Sequence, residues 1–251
     1  MEAEPHTTAS PPPAGPRGIS EDLRAFIEEV PWERRPILDF VQRAAEALQP
    51  GARLLDIGSG DAPYRELFTH VDYVTHDWEN SIHPGAHEAD LVGNADALPV
   101  EPEAFDAVLL TQVLEHVPDP AAVLGEVRRA LVPGGSLFMT APLNWELHEM
   151  PFDFYRYTSE GLRHLLDGAG FVDLTIDARN DCFTTLAQLM RNAASAMGRA
   201  PDGLDGDRDR ASAALWRLAD QMAHLAPLDA AWTMPLGYSA IAVKPRTPTG
   251  S

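Results

Sequence analysis

Short apolar runs alternate with helix-spaced apolar stripes along most of this chain. Ile37, Val41, Ala44, Ala45 and Leu48 fall on one helical face. That helix is expected to open at Pro36, where a missing N–H costs nothing, and to close at Gly51. Ahead of it, Ser20 can cap a shorter helix whose first turn carries Glu21 and Asp22. From Arg53 the texture changes to β-like runs: Arg53–Ile57, Asp72–His76, Asp90–Gly93, Ala107–Thr111, Ser136–Thr140, Val172–Asp177 and, near the end, Leu236–Val243. Helical stretches are expected between them at Tyr64–Phe68, Asp119–Leu131 and Ser159–Ala169, with the turn VPGG (Val132–Gly135) launching a strand. Strands alternating with helices predict an α/β fold: a mostly parallel sheet with helices on both faces.

One stretch breaks the alternation. Before the last strand lie two amphipathic helices, expected at Phe183–Met197 and Ala211–Leu225 and split by the polar loop PDGLDGDRDR. A connection in such a sheet needs only a few residues, so this is read as a helical insertion, either a lid over the site or an oligomer contact that would make a homodimer. The chain then divides into a disordered tail (1–18), N-terminal helices covering the site (19–50), an α/β core (51–180), the insertion (181–235) and a last strand with its tail (236–251).

Composition narrows the partners. Of the 251 residues, 19 are basic and 38 acidic, a net charge of −19. Lys and Arg are nowhere clustered, which argues against nucleic acid and anionic membrane as partners. The first residues are acidic and Pro-rich, unlike a secretion signal. No apolar run is long enough to span a bilayer, and the single cysteine, Cys182, excludes an intrachain disulfide. A cytoplasmic protein is expected.

The stretch LLDIGSGDAPY (Leu54–Tyr64) carries the chemistry. In an open parallel sheet, ligands bind outside the carboxyl ends of the strands, where this first strand ends. Gly58 and Gly60 let the backbone turn sharply against a ligand, and a helix starting near Pro63 would point its free N–H groups into the crevice. The dinucleotide fingerprint would place a third glycine where Pro63 stands, which argues against a nicotinamide dehydrogenase. Asp56, two residues before Gly58, repels a pyrophosphate and suits an ammonium group; S-adenosyl-L-methionine has such a group and no phosphate. Asp77 in YVTHDWEN follows about twenty residues later, the usual spacing of an acid that accepts ribose hydroxyls. Asp96 in GNADALP can meet an adenine amino group, and Thr111 and Gln112 end the fourth strand beside the methionine end.

These motifs together resemble a class I S-adenosylmethionine-dependent methyltransferase. LLDIGSGDAP is similar to the family's first motif, Asp77 to its second-strand acid and ADALP to its adenine-side loop. FDAVLLTQVLEHVPDPAAVLGEVRRALVPGGSLFMTAP is similar to the fourth and fifth strands, and TQVLEHVPDP to the ubiquinone O-methyltransferase branch. The resemblance implies a Rossmann-like, seven-stranded sheet whose last strand is antiparallel. It also implies cofactor contacts from Asp56, Gly58, Gly60, Asp77, Asp96, Thr111 and Gln112, with Trp78 and Ala97 beside them. One departure stands out: the family's third glycine is Ala62 here.

Methyl transfer needs alignment of nucleophile, methyl and sulfur above all, and a general base if the acceptor is a hydroxyl. Candidate bases are His116 in LEHV and, in the segment NWELHEMPFDFYRYT, His148 and Tyr155. That segment interleaves aromatic and ionisable groups, as an acceptor pocket would. Each has a plainer reading: His116 as a turn hydrogen bonder, the aromatics as packing for the next helix, Arg156 as an ion-pair partner, Cys182 as a helix residue. No metal site is expected, since Pro84 and Gly85 interrupt any helix joining His83 to His87. The leading expectation is methylation of a small-molecule acceptor, O-methylation favoured. The alternatives are another chemistry on the same fold, such as cyclisation, and a non-catalytic S-adenosylmethionine-binding module.

Overall fold

The computed structural model describes residues 18–199, 205–226 and 234–246. Its strands are β1 (Arg53–Ile57), β2 (Asp72–Asp77), β3 (Leu91–Val92), β4 (Phe105–Thr111), β5 (Leu131–Pro142), β6 (Val172–Arg179) and β7 (Gly237–Val243). They form one seven-stranded sheet in the order β3-β2-β1-β4-β5-β7-β6. All neighbours are parallel except β7, which is antiparallel to both β5 and β6.

Alternation along the central strands decides which helices cover which face. Leu54, Ala107, Leu109 and Phe138 point to one side and pack against α1 (Glu21–Glu29) and α2 (Pro31–Ala47) through Leu23, Ile27, Leu38 and Val41. Leu55, Ile57, Val108, Leu110, Leu137 and Met139 point to the other. There they meet Val123 and Val127 of α3 (Pro120–Ala130) and Leu162 and Leu166 of α4 (Ser159–Gly168). Side-chain caps fix the helix starts: Ser20, Asp119 and Thr158 accept from Leu23, Ala122 and Gly161 backbone N–H groups.

Several expectations are corrected. The second helix opens at Pro31, not Pro36, and carries Pro36 inside it. An internal proline orphans the carbonyl four residues back; that carbonyl, Trp32 O, instead accepts from Asn180 Nδ2 at 2.7 Å. No α-helix follows β1. Ala62 sits at φ 49° directly before Pro63, a conformation no helix continues, and only a short 3-10 turn at Arg65–Phe68 remains. No helix N-terminus therefore faces the crevice at this point. The VPGG turn is a bulge within β5 rather than its start: Leu131 pairs with Phe105, residues 132–135 loop out with Gly134 at φ 85°, and pairing resumes at Ser136 with Ala107.

The insertion forms α5 (Cys182–Arg199) and α6 (Asp205–Ala223), which pack on each other while α5 rests on α2. The Arg191 guanidinium lies over Trp32 of α2 at 3.8 Å and over Trp216 of α6 at 5.0 Å, tying the three helices together. Cys182 is the half-buried first residue of α5. Residues 1–17 of the expected tail (1–18), part of the polar loop within 201–210 and the last residues fall outside the described residues. Among the described residues no helix is long and apolar enough to cross a membrane.

Candidate active site

The carboxyl ends of β1, β2, β4 and β5 open into one crevice made of two adjoining cavities. One is about 250 Å³ and lies on the side of α1 and α2; the other is about 380 Å³ and lies on the side of α3. Gly58, Gln112, His116, His83 and Glu149 line both. Gly58 (φ 68°) and Gly60 (φ 54°) make the turn after β1, and a β-carbon on Gly58 would overlap Val113. Asp77 locks this turn to the end of β2, its two carboxylate oxygens accepting from Gly60 N–H (2.7 Å) and Trp78 N–H (2.8 Å).

Asp56, Ser59, Thr111 and Gln112 line the smaller cavity. Asp56 is buried, accepts a hydrogen bond from the Tyr73 hydroxyl on Oδ2, and has no partner on Oδ1. Burial pushes its carboxyl up to about 7; the Tyr73 hydrogen bond opposes that shift. Burial and the neighbouring carboxylate push the Tyr73 hydroxyl upward as well. Ser59 Oγ is also buried without a partner. An orphaned carboxylate oxygen beside an orphaned hydroxyl is the lining that a ligand's ammonium group satisfies. The residues thus fit the amino-acid end of S-adenosylmethionine.

The larger cavity takes Asp77, Trp78 and Asp96. Trp78 meets Phe152 edge-to-face at 4.8 Å across its mouth. Ala97, expected beside the cofactor, lines neither cavity, and its N–H donates to Asn94 O.

Of the three candidate bases, His116 and His148 meet in the smaller cavity with ring centroids 4.7 Å apart. Tyr155 does not reach it: its hydroxyl donates to Pro118 O and its side chain points outward, 39% exposed. His116 Nδ1 lies 2.7 Å from Phe152 O, and burial holds its ring below the usual imidazole range. His148 Nδ1 lies 3.2 Å from Glu146 O and 3.4 Å from Asp153 Oδ2. Arg156 grips Asp153 through both oxygens (2.6 and 2.9 Å), and those hydrogen bonds hold the Asp153 carboxyl down at about 2.

Four functional candidates escape a reading of the sequence: Tyr73, Asp153, the partly buried Glu33–Arg179 pair (3.1 Å) and Glu115. Glu115 is fully buried with both carboxylate oxygens unpartnered, and burial pushes it up to about 8. With His116 and His148 it places three potential ligand atoms within 4.8 Å of one another, a metal-compatible geometry that the sequence does not announce. No described residue of α5 or α6 lines either cavity, so the covering role expected of the insertion has no wall in this crevice. Phe26, Val30, Glu33, Arg34 and Ile37 of the α1–α2 elbow, within the N-terminal helices expected to cover the site, wall the smaller cavity.

The profile of a methyltransferase domain family matches residues 28–176. The chain belongs to the class I S-adenosylmethionine-dependent methyltransferase family. It is 33% identical over 118 residues to a ubiquinone biosynthesis O-methyltransferase of Xanthomonas campestris, a match covering 41% of this chain and 47% of that protein. The chain thus spans about half the length of the curated relatives it matches. Among solved structures, the [4+2]-cyclase SpnF superposes with a TM-score of 0.56 at 23% identity, covering 86% of this chain and 82% of SpnF. A Haemonchus contortus phosphoethanolamine N-methyltransferase bound to S-adenosylhomocysteine gives 0.53 at 20%, covering 83% and 52%. These two likenesses concern the fold. The methyltransferase's cofactor is S-adenosyl-L-methionine.

Proposed function

We propose that this methyltransferase methylates a hydroxyl of a small-molecule acceptor, with His148 as the general base. The observation that carries the reading is the Arg156–Asp153–His148 arrangement at the edge of the smaller cavity. With Nδ1–H directed at the Glu146 carbonyl and the Asp153 carboxylate, the His148 Nε2 lone pair is left to take the acceptor's proton. Asp153, kept ionised by Arg156, stabilises the imidazolium that results. Phe26, Ile37 and Trp145 give the acceptor apolar walls, and the α1–α2 elbow limits its size and keeps water out. Asp56 and Ser59 would hold the cofactor's amino-acid end, Asp77 and Asp96 its nucleoside in the larger cavity. Bound so, the cofactor supplies a methyl group on a sulfonium that leaves readily. The name of the Xanthomonas relative adds support for an oxygen acceptor.

The test is incubation with S-adenosylmethionine and a panel of phenols, catechols and amines, followed by S-adenosylhomocysteine release and product mass. A hydroxyl acceptor should gain the methyl group, and His148→Ala should lower kcat by about a hundredfold with S-adenosylhomocysteine affinity unchanged. Near-normal turnover in that variant would remove His148 as the base, and methylated amines alone would overturn the oxygen assignment.

A further inference from the structure

The larger cavity holds a group that nothing above employs. His76 is 1% exposed, and neither of its ring nitrogens has a hydrogen-bond partner. It pairs in register with Ile57, which faces α3, so its ring lies on the α3 side of the sheet with the larger cavity. The cavity it lines is walled by Ile57, Ala95, Val113 and Val123 and also by Asp77, Asn94 and Asp96. Gly93 borders Nε2: a β-carbon there would stand 3.9 Å from it, in van der Waals contact. Burial holds the imidazole below its ordinary value, so near neutral pH it presents one donor and one acceptor. Folded proteins seldom leave two such atoms buried and unmatched.

We propose that His76 hydrogen-bonds an edge nitrogen of the cofactor's purine and is a specificity-determining residue for that base. The inference rests on the nucleoside occupying the larger cavity, as proposed above. The apolar part of the lining accepts the faces of a flat heterocycle, and the N–H of a neutral imidazole can donate to one ring nitrogen at the edge of a purine.

Calorimetry on the full chain tests it, with S-adenosylhomocysteine and its 1-, 3- and 7-deaza analogues, each lacking one ring nitrogen, against wild type, His76→Leu and His76→Phe. At least one analogue should bind wild type roughly tenfold more weakly than the parent. In both variants that penalty should shrink to about twofold while the other analogues keep theirs. Penalties that are the same in wild type and variants overturn the proposal, as they would if His76 only packed or held a water. Should both variants lose their cooperative melt, the wild-type histidine ring-nitrogen spectrum decides. One ring resonance must shift with the parent ligand and fail to shift with the penalised analogue, and identical spectra for all four ligands overturn the proposal. Asp77→Asn separates the two levels. Unchanged parent affinity in that variant sinks the nucleoside placement itself; a tenfold loss with penalties independent of His76 sinks His76 alone.

Discussion

Asp56 sits in a buried position that is costly for a carboxylate until a cation arrives. In the unfolded chain it ionises near 3.8 and in the folded protein near 7, so the native state holds that proton more tightly. Its contribution is complete below pH 4 and is lost as pH rises to about 7; Glu115, moved from 4.5 to about 8, acts in the same direction. The cofactor-free protein should therefore melt progressively lower between pH 5 and 8, and an Asp56→Asn/Glu115→Gln variant should show a flatter profile by calorimetry. An unchanged slope would mean that neither group carries its proton at neutral pH. Asp153 has the opposite sign: held at about 2, it stabilises above its ordinary 3.8 and that contribution is lost as pH falls through 2. Asp56→Ala should also weaken S-adenosylmethionine binding by an order of magnitude or more, since a charge-assisted contact is worth about 1.5–3 kcal/mol. Unchanged affinity in a titration would remove Asp56 from the site. Asp56, Gly58 and Gly60 are legible in the sequence because their chemistry is local, spelled out within five consecutive residues. Tyr73 is not, because only the pairing of β1 with β2 brings it onto the face of Asp56. Glu115 stands next to His116 in the same LEHV motif and still escapes notice: adjacency in sequence says nothing about burial, and burial is what makes it unusual.

At the scale of elements, legibility follows the environment. β1 is predictable to the residue because a strand buried on both faces is written as a short apolar run bounded by polar and glycine residues. The helical stretch expected after β1 shrinks to a 3-10 turn at Arg65–Phe68, which follows the reversal of the chain at Ala62 (φ 49°). The start of α2 is hidden because the partner that lets it carry Pro36, Asn180, lies far away in sequence. The glycine turn admits a direct test. Gly58→Ala places a β-carbon against Val113 in a backbone conformation that costs a non-glycine residue about 1–3 kcal/mol. The variant should melt several degrees lower and lose cofactor affinity together, because the same turn shapes the cavity and, through Gly60, anchors Asp77. A wild-type melting temperature with intact affinity would show that the turn relaxes freely.

Across the whole molecule, the division of labour among helices can be measured. The crevice is crossed by two contacts between the loops after β2 and β5, Trp78 with Phe152 and His83 with Glu149 at 3.9 Å, and it is walled by the α1–α2 elbow. Among the described residues the α5–α6 pair lines neither cavity; it meets α2, where Arg191 covers Trp32, and the Arg179–Glu33 pair joins the end of β6, just ahead of α5, to the same helix. A ligand that binds only the native state stabilises by mass action, by about 2.7 kcal/mol at a hundredfold excess over Kd. That stabilisation should appear where the ligand closes the structure. Hydrogen exchange with saturating S-adenosylhomocysteine should therefore slow at residues 26–37, 56–60, 76–88 and 145–155, while α6 exchanges as before. Protection spreading into α6 would restore the insertion as a cover over the site. Protection confined to the crevice would leave its apolar face, with Trp216 and Leu218 exposed, outside the catalytic cycle, and its removal should then cost stability through α2 before it costs turnover.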